Sequence, residues 1–215
     1  MKTWNILSLL ALFFMVLIPS SFAADLPTKV DRPVIKVGDT WTYIKSVGTN
    51  TSTSTYKVVS LQPGGGYQAE VQRSPKGTWL EKYDSSGNVL EDNSSFFSPS
   101  QEIFRFPLEV GKLYTGSEFS KKHKKDPTRN FTLQAKIKSV TQDRVMVKAG
   151  TFNVLKVEVE TSYSGTSRRG YSVSNLIDET YWYSPEVGRW VKMHSNDRGN
   201  PGLEILELES FKRGQ

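Results

Sequence analysis

The stretch V-M-V-K-A-G-T-F-N-V-L-K-V-E-V-E, Val145 to Glu160, and its continuation Y-W-Y-S-P-E-V-G-R-W-V-K, Tyr181 to Lys192, decide the fold. From Asn153 to Glu160, Leu155, Val157 and Val159 alternate with Lys156, Glu158 and Glu160. A period of two with β-branched residues marks a strand buried on one face, because successive side chains point to opposite sides. Burying those three apolar side chains contributes roughly 1.5–3 kcal/mol each before entropy is counted. Val145 and Val147 alternate in the same way ahead of Ala149-Gly150-Thr151, so strand, glycine turn and strand read as a hairpin. Glu179 to Tyr183 is aromatic-rich, as strands are. Ser184-Pro185-Glu186-Val187-Gly188 follows as a tight turn, in which proline presets φ and Gly188 supplies positive φ. Arg189 to Met193 then returns as the partner strand.

The same residues carry a resemblance. A-G-T-F-N-V-L-K-V-E, Ala149 to Glu158, together with Y-W-Y-S-P-E-V-G-R-W-V-K resembles a signature of uncharacterised exported bacterial proteins, one branch of which is called TapB-like. Weaker likenesses are G-D-T-W-T-Y, Gly38 to Tyr43, and F-P-L-E-V-G-K, Phe106 to Lys112. The resemblance implies an envelope-located β-domain without established activity. It carries over no catalytic residue.

Outward from the centre, turn signals recur every ten or so residues, the spacing of an all-β meander. Pro27 and Pro33 make Asp25 to Val37 an extended arm. Strands are expected through Trp41, Tyr43 and Ile44, over Thr55–Leu61, over Tyr67–Gln72 and over Thr78–Tyr83. Pro63-Gly64-Gly65-Gly66 and Asp84-Ser85-Ser86-Gly87-Asn88 separate them as turns. Glu91 to Gln101 reads as a polar loop whose Phe96-Phe97 pair folds back as a plug on the core. Lys112–Phe119 and Phe131–Val140 are further strands, with the dense charge Lys121-Lys122-His123-Lys124-Lys125 between them as a loop. Ser164 to Gly170 is a second polar, basic loop. Leu203–Phe211 is the last strand, and Lys212 to Gln215 is expected to fray. No window outside the N-terminus places apolar residues at helical spacing for two turns.

Met1 to Ala23 has the form of a secretory signal: Lys2, an apolar run from Ile6 to Ile18, and a small-x-small site at Ser21-Phe22-Ala23. The run is short for a membrane helix, which needs about 20 residues; an uncleaved N-terminal anchor is the alternative. The mature chain of residues 24–215 is then expected to form a single antiparallel β-domain, long enough to bury roughly 70% of its unfolded surface. Net charge is +6, falling to +5 without Lys2, which implies weak affinity for anionic surfaces and not dedicated nucleic-acid binding. The chain has no cysteine, so it has neither a disulfide framework nor a Cys for acylation. Asn50, Asn93 and Asn130 begin N-x-Ser/Thr sequons, which matter only in a eukaryotic secretory pathway.

The chemistry-bearing inventory is thin. Two histidines, His123 and His194, and no cysteine argue against a metal site. There is no G-x-S-x-G elbow, and consecutive His194, Ser195 and Asp197 on a strand end cannot face one substrate together. Glu158, Glu160, Asp178 and Glu179 lie on expected strands, where a cleft between two acids is conceivable for glycoside chemistry; alternating Lys and Glu on a solvent face explains Glu158 and Glu160 equally well. Lys121, Lys122, Lys124 and Lys125 in one loop and Arg168 and Arg169 in the other are candidate basic contacts, or else solvated loop charge. Trp41, Tyr43, Tyr181, Trp182, Tyr183 and Trp190 are the candidate ligand-binding aromatics: adjacent residues of Tyr181-Trp182-Tyr183 must point to both faces of their strand, so one face can be core while the other forms an apolar groove. Filling both sides of a curved sheet is the plainer use of the same residues.

The expectation is an all-β fold, an antiparallel, strongly curved sheet forming a sandwich or incomplete barrel of about ten to twelve strands. The functional expectation is an exported, periplasmic or secreted, non-enzymatic domain that binds an apolar ligand or lipid in the curved sheet. The alternative is a structural or protein-interaction domain of the envelope, and the third reading a hydrolase on an unrecognised acid pair. No cofactor, no metal, no nucleic acid and no integral membrane span are expected; the partner is a lipid, an apolar small molecule or an envelope protein.

Overall fold

The computed structural model describes residues 26–167, 169–200 and 202–215. The expected signal segment, residues 1–23, and Arg168 lie outside the described residues. Most of the expected strands form, but of Lys112–Phe119 only Tyr114–Thr115 and Phe119 are strand; the strands are β1 (Lys29–Val30), β2 (Thr40–Val47), β3 (Asn50–Leu61), β4 (Tyr67–Arg73), β5 (Gly77–Tyr83), β6 (Val89–Glu91), β7 (Ser95–Ser98), β8 (Leu108–Glu109), β9 (Tyr114–Thr115), β10 (Phe119–His123), β11 (Asp126–Val147), β12 (Gly150–Thr166), β13 (Ser172–Ser184), β14 (Arg189–Asp197) and β15 (Glu204–Lys212). One 3-10 turn, Pro63–Gly65, links β3 to β4.

The main sheet runs in the order β10-β7-β6-β5-β4-β3-β2-β15-β14-β13-β12-β11, all antiparallel, and β10 pairs in turn with β11. Twelve strands therefore close into a barrel. The curved all-β sheet expected from the sequence forms, and its closure goes one step beyond an incomplete barrel. Sequential hairpins build most of the wall, and β15 against β2 joins the two ends of the chain. β9 lies beside β11 at Lys136 and Ile137, beyond the stretch Asp126–Leu133 that β10 occupies. β1 and β8 form a separate two-stranded sheet.

The register explains the core. Leu155 faces Tyr183 and Val157 faces Tyr181 across β12 and β13, so the apolar set of β12 meets the tyrosines of β13 on one face. Ala135, Ile137 and Val140 of β11 join this cluster. A second cluster gathers Trp41, Tyr43, Tyr56, Val58, Tyr67 and Val71 of β2, β3 and β4 with Val187, Val191 and Leu208. The far arms of β11 and β12 add Val145, Val147, Phe152 and Val154 to it. Gly188 ends the β13–β14 turn at φ +71, a conformation that favours glycine, and a Cβ there would also push the Arg213 guanidinium aside.

Several local expectations are overturned. Phe96 and Phe97 are no plug: they sit in β7, where pairing with β10 fixes an alternation that leaves Phe96 48% exposed and sets Phe97 beside Phe119. The plug is Ile103 and Phe104, in the excursion the chain makes between β7 and β8. Phe104 packs its ring 5.4 Å from both Tyr181 and Tyr183. Asn88 holds the Phe104 backbone from both sides, donating Nδ2 to its carbonyl (2.9 Å) and accepting its N–H (2.8 Å). The expected lysine loop is mostly strand: β10 extends through His123, and only Lys124 and Lys125 turn. The C-terminal tail is tied down, because Arg213 donates to the carbonyls of Val187 (2.9 Å) and Val34 (2.6 Å) and Gly214 N–H donates to the buried Asp39 carboxylate (2.7 Å).

Candidate functional site

Two cavities open into the barrel. The larger, about 430 Å³, lies at the end where the β10–β11 and β12–β13 turns meet. Alternation in β11 puts Arg129, Phe131 and Leu133 on one face, and that face lines the cavity. Lys121 and His123 of β10, Tyr163 of β12, Val173 and Ile177 of β13 and Asp197 of β14 join them, and Ser94, Ser95 and Ser167 complete the wall. Apolar and aromatic side chains therefore share the cavity with polar and charged ones.

The charges are not balanced in pairs. Asp197 is satisfied within the wall, accepting the Tyr163 hydroxyl (3.0 Å) and the Gly199 N–H (2.9 Å). Burial, then the Asp197 carboxylate, pushes the Tyr163 phenol up, which keeps it a donor. Arg129 Nε is buried and has no hydrogen-bond partner among the described residues. Lys121 Nζ sits over the Phe97 ring at 5.5 Å and makes no ion pair among the described residues. His123 Nδ1 accepts the Lys125 N–H at 3.2 Å.

The inner cavity, about 220 Å³, is walled by Tyr56, Glu81, Tyr83, Tyr181, Arg189 and Trp190 among others. Arg189 is 8% exposed and packed among rings: its guanidinium carbon lies 4.8 Å from the centroid of Tyr56, 5.0 Å from Trp41, 5.1 Å from Tyr83 and 5.6 Å from Trp190. Arg189 Nη2 donates to the Tyr83 hydroxyl (3.3 Å), which itself donates to Glu81 Oε2 at 2.5 Å. Burial, then the Glu81 charge, pushes the Tyr83 phenol well up, so it stays protonated and links guanidinium to carboxylate. Trp79 Nε1 supplies Glu81 with its second bond, at 2.8 Å. The ring cage stabilises the buried cation through the aromatic quadrupoles.

Of the six aromatics expected to line a groove, Tyr181 and Trp190 reach the inner cavity. Trp41 and Tyr43 are fully buried in the second core cluster, and Tyr183 lies beneath Phe104. Trp182 points to the other face of β13, where its Nε1 donates to Asp143 (2.9 Å) and its ring meets His194 at 4.8 Å. Of the six basic residues, Lys121 lines the mouth, while Lys124 is paired with Glu91 at 2.8 Å. Lys122, Lys125 and Arg169 are exposed around the same end. Sequence reasoning missed Arg129 and Arg189. Arg129 was detectable as an odd-numbered partner of Phe131 and Leu133; Arg189 carried no signal, because its cage comes from strands up to 148 residues away in the chain.

The four candidate acids are each engaged by other side chains. Glu160 and Asp178 face each other across β12 and β13 and share Arg198, at 3.2 and 2.7 Å. Glu158 is bonded by Lys156 (2.6 Å) and Ser139 (2.7 Å). Glu179 is pushed up by burial, and its oxygens accept Tyr181 (2.8 Å) and Thr161 (3.3 Å); it lines neither cavity. Among the described residues no cluster of three or more metal-ligating side chains occurs, and no helix is long and apolar enough to cross a membrane.

No known family model and no curated protein matches this chain. Solved structures do. A candidate lipoprotein from Parabacteroides distasonis superposes with a TM-score of 0.58 at 17% identity, covering 85% of this chain and 99% of that one. A candidate exported protein with a YmcC-like fold from Bacteroides fragilis gives 0.54 at 16% identity, covering 86% and 100%. At these identities the likeness is one of fold: this chain has the barrel architecture seen in those two proteins.

Proposed function

We propose that this chain is an exported, non-enzymatic binding module that holds a small, largely apolar ligand at the mouth of its barrel. The observation that carries the reading is the cavity of about 430 Å³, walled by Phe131, Leu133, Val173 and Ile177, at one end of a closed wall. Ligand sites are concave, mostly apolar, and commonly about 300–1,000 Å³, and barrel mouths are a preferred place for them. The plugging of the interior by Phe104 leaves the mouth as the larger space. Glu179, the one acid whose carboxyl burial pushes up, faces no cavity, which disfavours acid–base chemistry. The alternative of an envelope domain that recruits partners by strand addition would have to use the far arm of β11, Thr141–Val147, which pairs with β12 on one side and with no strand on the other among the described residues, because the rest of the main sheet closes on itself.

Export and an envelope location fit the N-terminal signal pattern of residues 1–23 and the descriptions of the two similar structures as an exported protein and a lipoprotein. Membership of the TapB-like branch remains part of this reading, resting on the Ala149–Glu158 and Tyr181–Lys192 motifs. The test is native mass spectrometry of the mature protein purified from its own envelope, followed by organic extraction. A stoichiometric adduct of lipid or small-molecule size is expected. A clean unliganded mass overturns the reading for any tightly held ligand.

A further inference from the structure

Resting on the binding reading above, we propose that the mouth selects amphiphiles carrying a single anionic group, a carboxylate or a phosphate monoester, with the anion at Arg129 and Lys121 and the tail against Phe131, Leu133 and Ile177. The first ground is charge. Several half-buried lysines elsewhere on the barrel have acids, Lys45 with Glu204, Lys124 with Glu91 and Lys192 with Glu207, while Arg73 and Lys112 bond Ser54 and the Pro107 carbonyl instead. Arg129 and Lys121 make no ion pair among the described residues, Asp126 and Glu179 acting on them only at longer range, and the one carboxylate in the wall, Asp197, is already engaged by Tyr163 and Gly199. The cavity thus carries two positive charges against one internally satisfied negative charge, and an incoming anion completes it.

The second ground is the orphan donor. Arg129 Nε is buried without a partner, and leaving such a group unpaired costs free energy that a bound acceptor recovers. A guanidinium presents a planar fork suited to carboxylate or phosphate oxygens, and Lys121, on the neighbouring strand opposite Phe131, adds a point charge. The third ground is the remainder of the wall: apolar side chains next to the cations leave an anion alone poorly served and an anion with a tail well served.

The test is calorimetric titration of the mature protein, below micelle formation, with dodecanoate, dodecyl phosphate, dodecanol, dodecylamine, acetate and inorganic phosphate. Dodecanoate and dodecyl phosphate are expected to bind about tenfold or more tighter than dodecanol, the worth of one charge-assisted bond. Dodecylamine is expected to be weakest, with acetate and inorganic phosphate undetected. Arg129→Gln and Lys121→Gln should each bring dodecanoate down to the dodecanol level and leave dodecanol unchanged, while Arg129→Lys retains an intermediate preference. Equal binding of the acid, alcohol and amine overturns the anion selectivity and leaves the binding module standing. Acetate or phosphate binding as well as dodecanoate overturns the role of the tail. A loss of dodecanol affinity equal to that of dodecanoate in both glutamine variants shows a structural effect and overturns the assignment. No binding by any amphiphile overturns the mouth as a site and the binding reading with it.

Discussion

Arg189 shows how much a single residue can organise. A buried cation is tolerated only when its charge is met, and here five rings and the Glu81–Tyr83 link surround it, with Nη1 left without a hydrogen-bond partner among the described residues. Arg189→Met keeps the volume but strands the Glu81 carboxylate in the interior, so denaturant unfolding should show a loss of about 3–5 kcal/mol. Adding Glu81→Gln to that variant removes the stranded charge and should recover part of the loss; a single variant as stable as the wild type refutes the linkage. Tyr83→Phe, which deletes only the bridging hydroxyl, should cost about 1–3 kcal/mol. Glu179 has the opposite character. Its carboxyl is pushed above 4.5 by burial, with Tyr181, Thr161, Lys121 and Glu204 around it. A carboxyl raised in the folded state binds protons more readily there than in the unfolded chain. Its contribution is therefore full below 4.5 and is lost as pH rises through the raised value. Between 4.5 and neutrality the wild type should lose stability relative to Glu179→Gln, whose neutral amide has nothing to titrate. Parallel stability curves for the two proteins over that window would refute this.

At the scale of elements, the excursion between β7 and β8 turns a wide twelve-stranded tube into a filled one. Phe104 is the centre of it, touching Tyr181 and Tyr183 while Asn88 pins its backbone. Phe104→Ala removes a buried ring from a place the barrel wall cannot collapse into, so chemical unfolding should register about 3–5 kcal/mol of lost stability. A cost under about 1 kcal/mol would mean that the wall, and not the plug, sets the interior. The plug also marks where the sequence stops being readable. Leu155, Val157 and Val159 announced their strand because a buried face imposes period two over eight residues. Ile103-Phe104 has no period to show, being irregular backbone, and the Phe96-Phe97 pair five residues into a polar stretch looked the better plug. Only the pairing of β7 with β10, set by contacts far along the chain, sends Phe96 outward. The candidate site divides in the same way: the aromatic residues of β13 and the lysines of β10 are legible one by one, whereas the meeting of Lys121 with Arg129 and Ile177 depends on closure.

For the whole molecule, closure is the feature with most consequence and the one least written in local pattern. It depends on three short strands: β6 with three residues, β7 with four and β10 with five, against 22 and 17 in β11 and β12. β6 and β7 share a single registered pair, Glu91 with Phe96. Short strands pair through few hydrogen bonds, and such regions open at lower free energy than the long central ladder. Ser95, Lys121 and His123 belong both to this seam and to the wall of the mouth, so opening it widens the entrance to the cavity. Hydrogen exchange should accordingly find the amides of Ser95–Ser98 and Phe119–His123 exchanging well ahead of Val154–Thr161 and Thr180–Tyr183. A direct lock is available, because the chain has no cysteine and Ser98 pairs with Ser120 across the seam. Oxidising the double variant Ser98→Cys, Ser120→Cys should raise protection in β7 and β10 and slow the association of dodecanoate in stopped-flow measurements, with reduction restoring both. If the seam amides of the wild type are protected as strongly as those of β12, or if the locked barrel takes up ligand at the unlocked rate, entry does not pass through β7 and β10, and the mouth must be served by the β12–β13 turn instead.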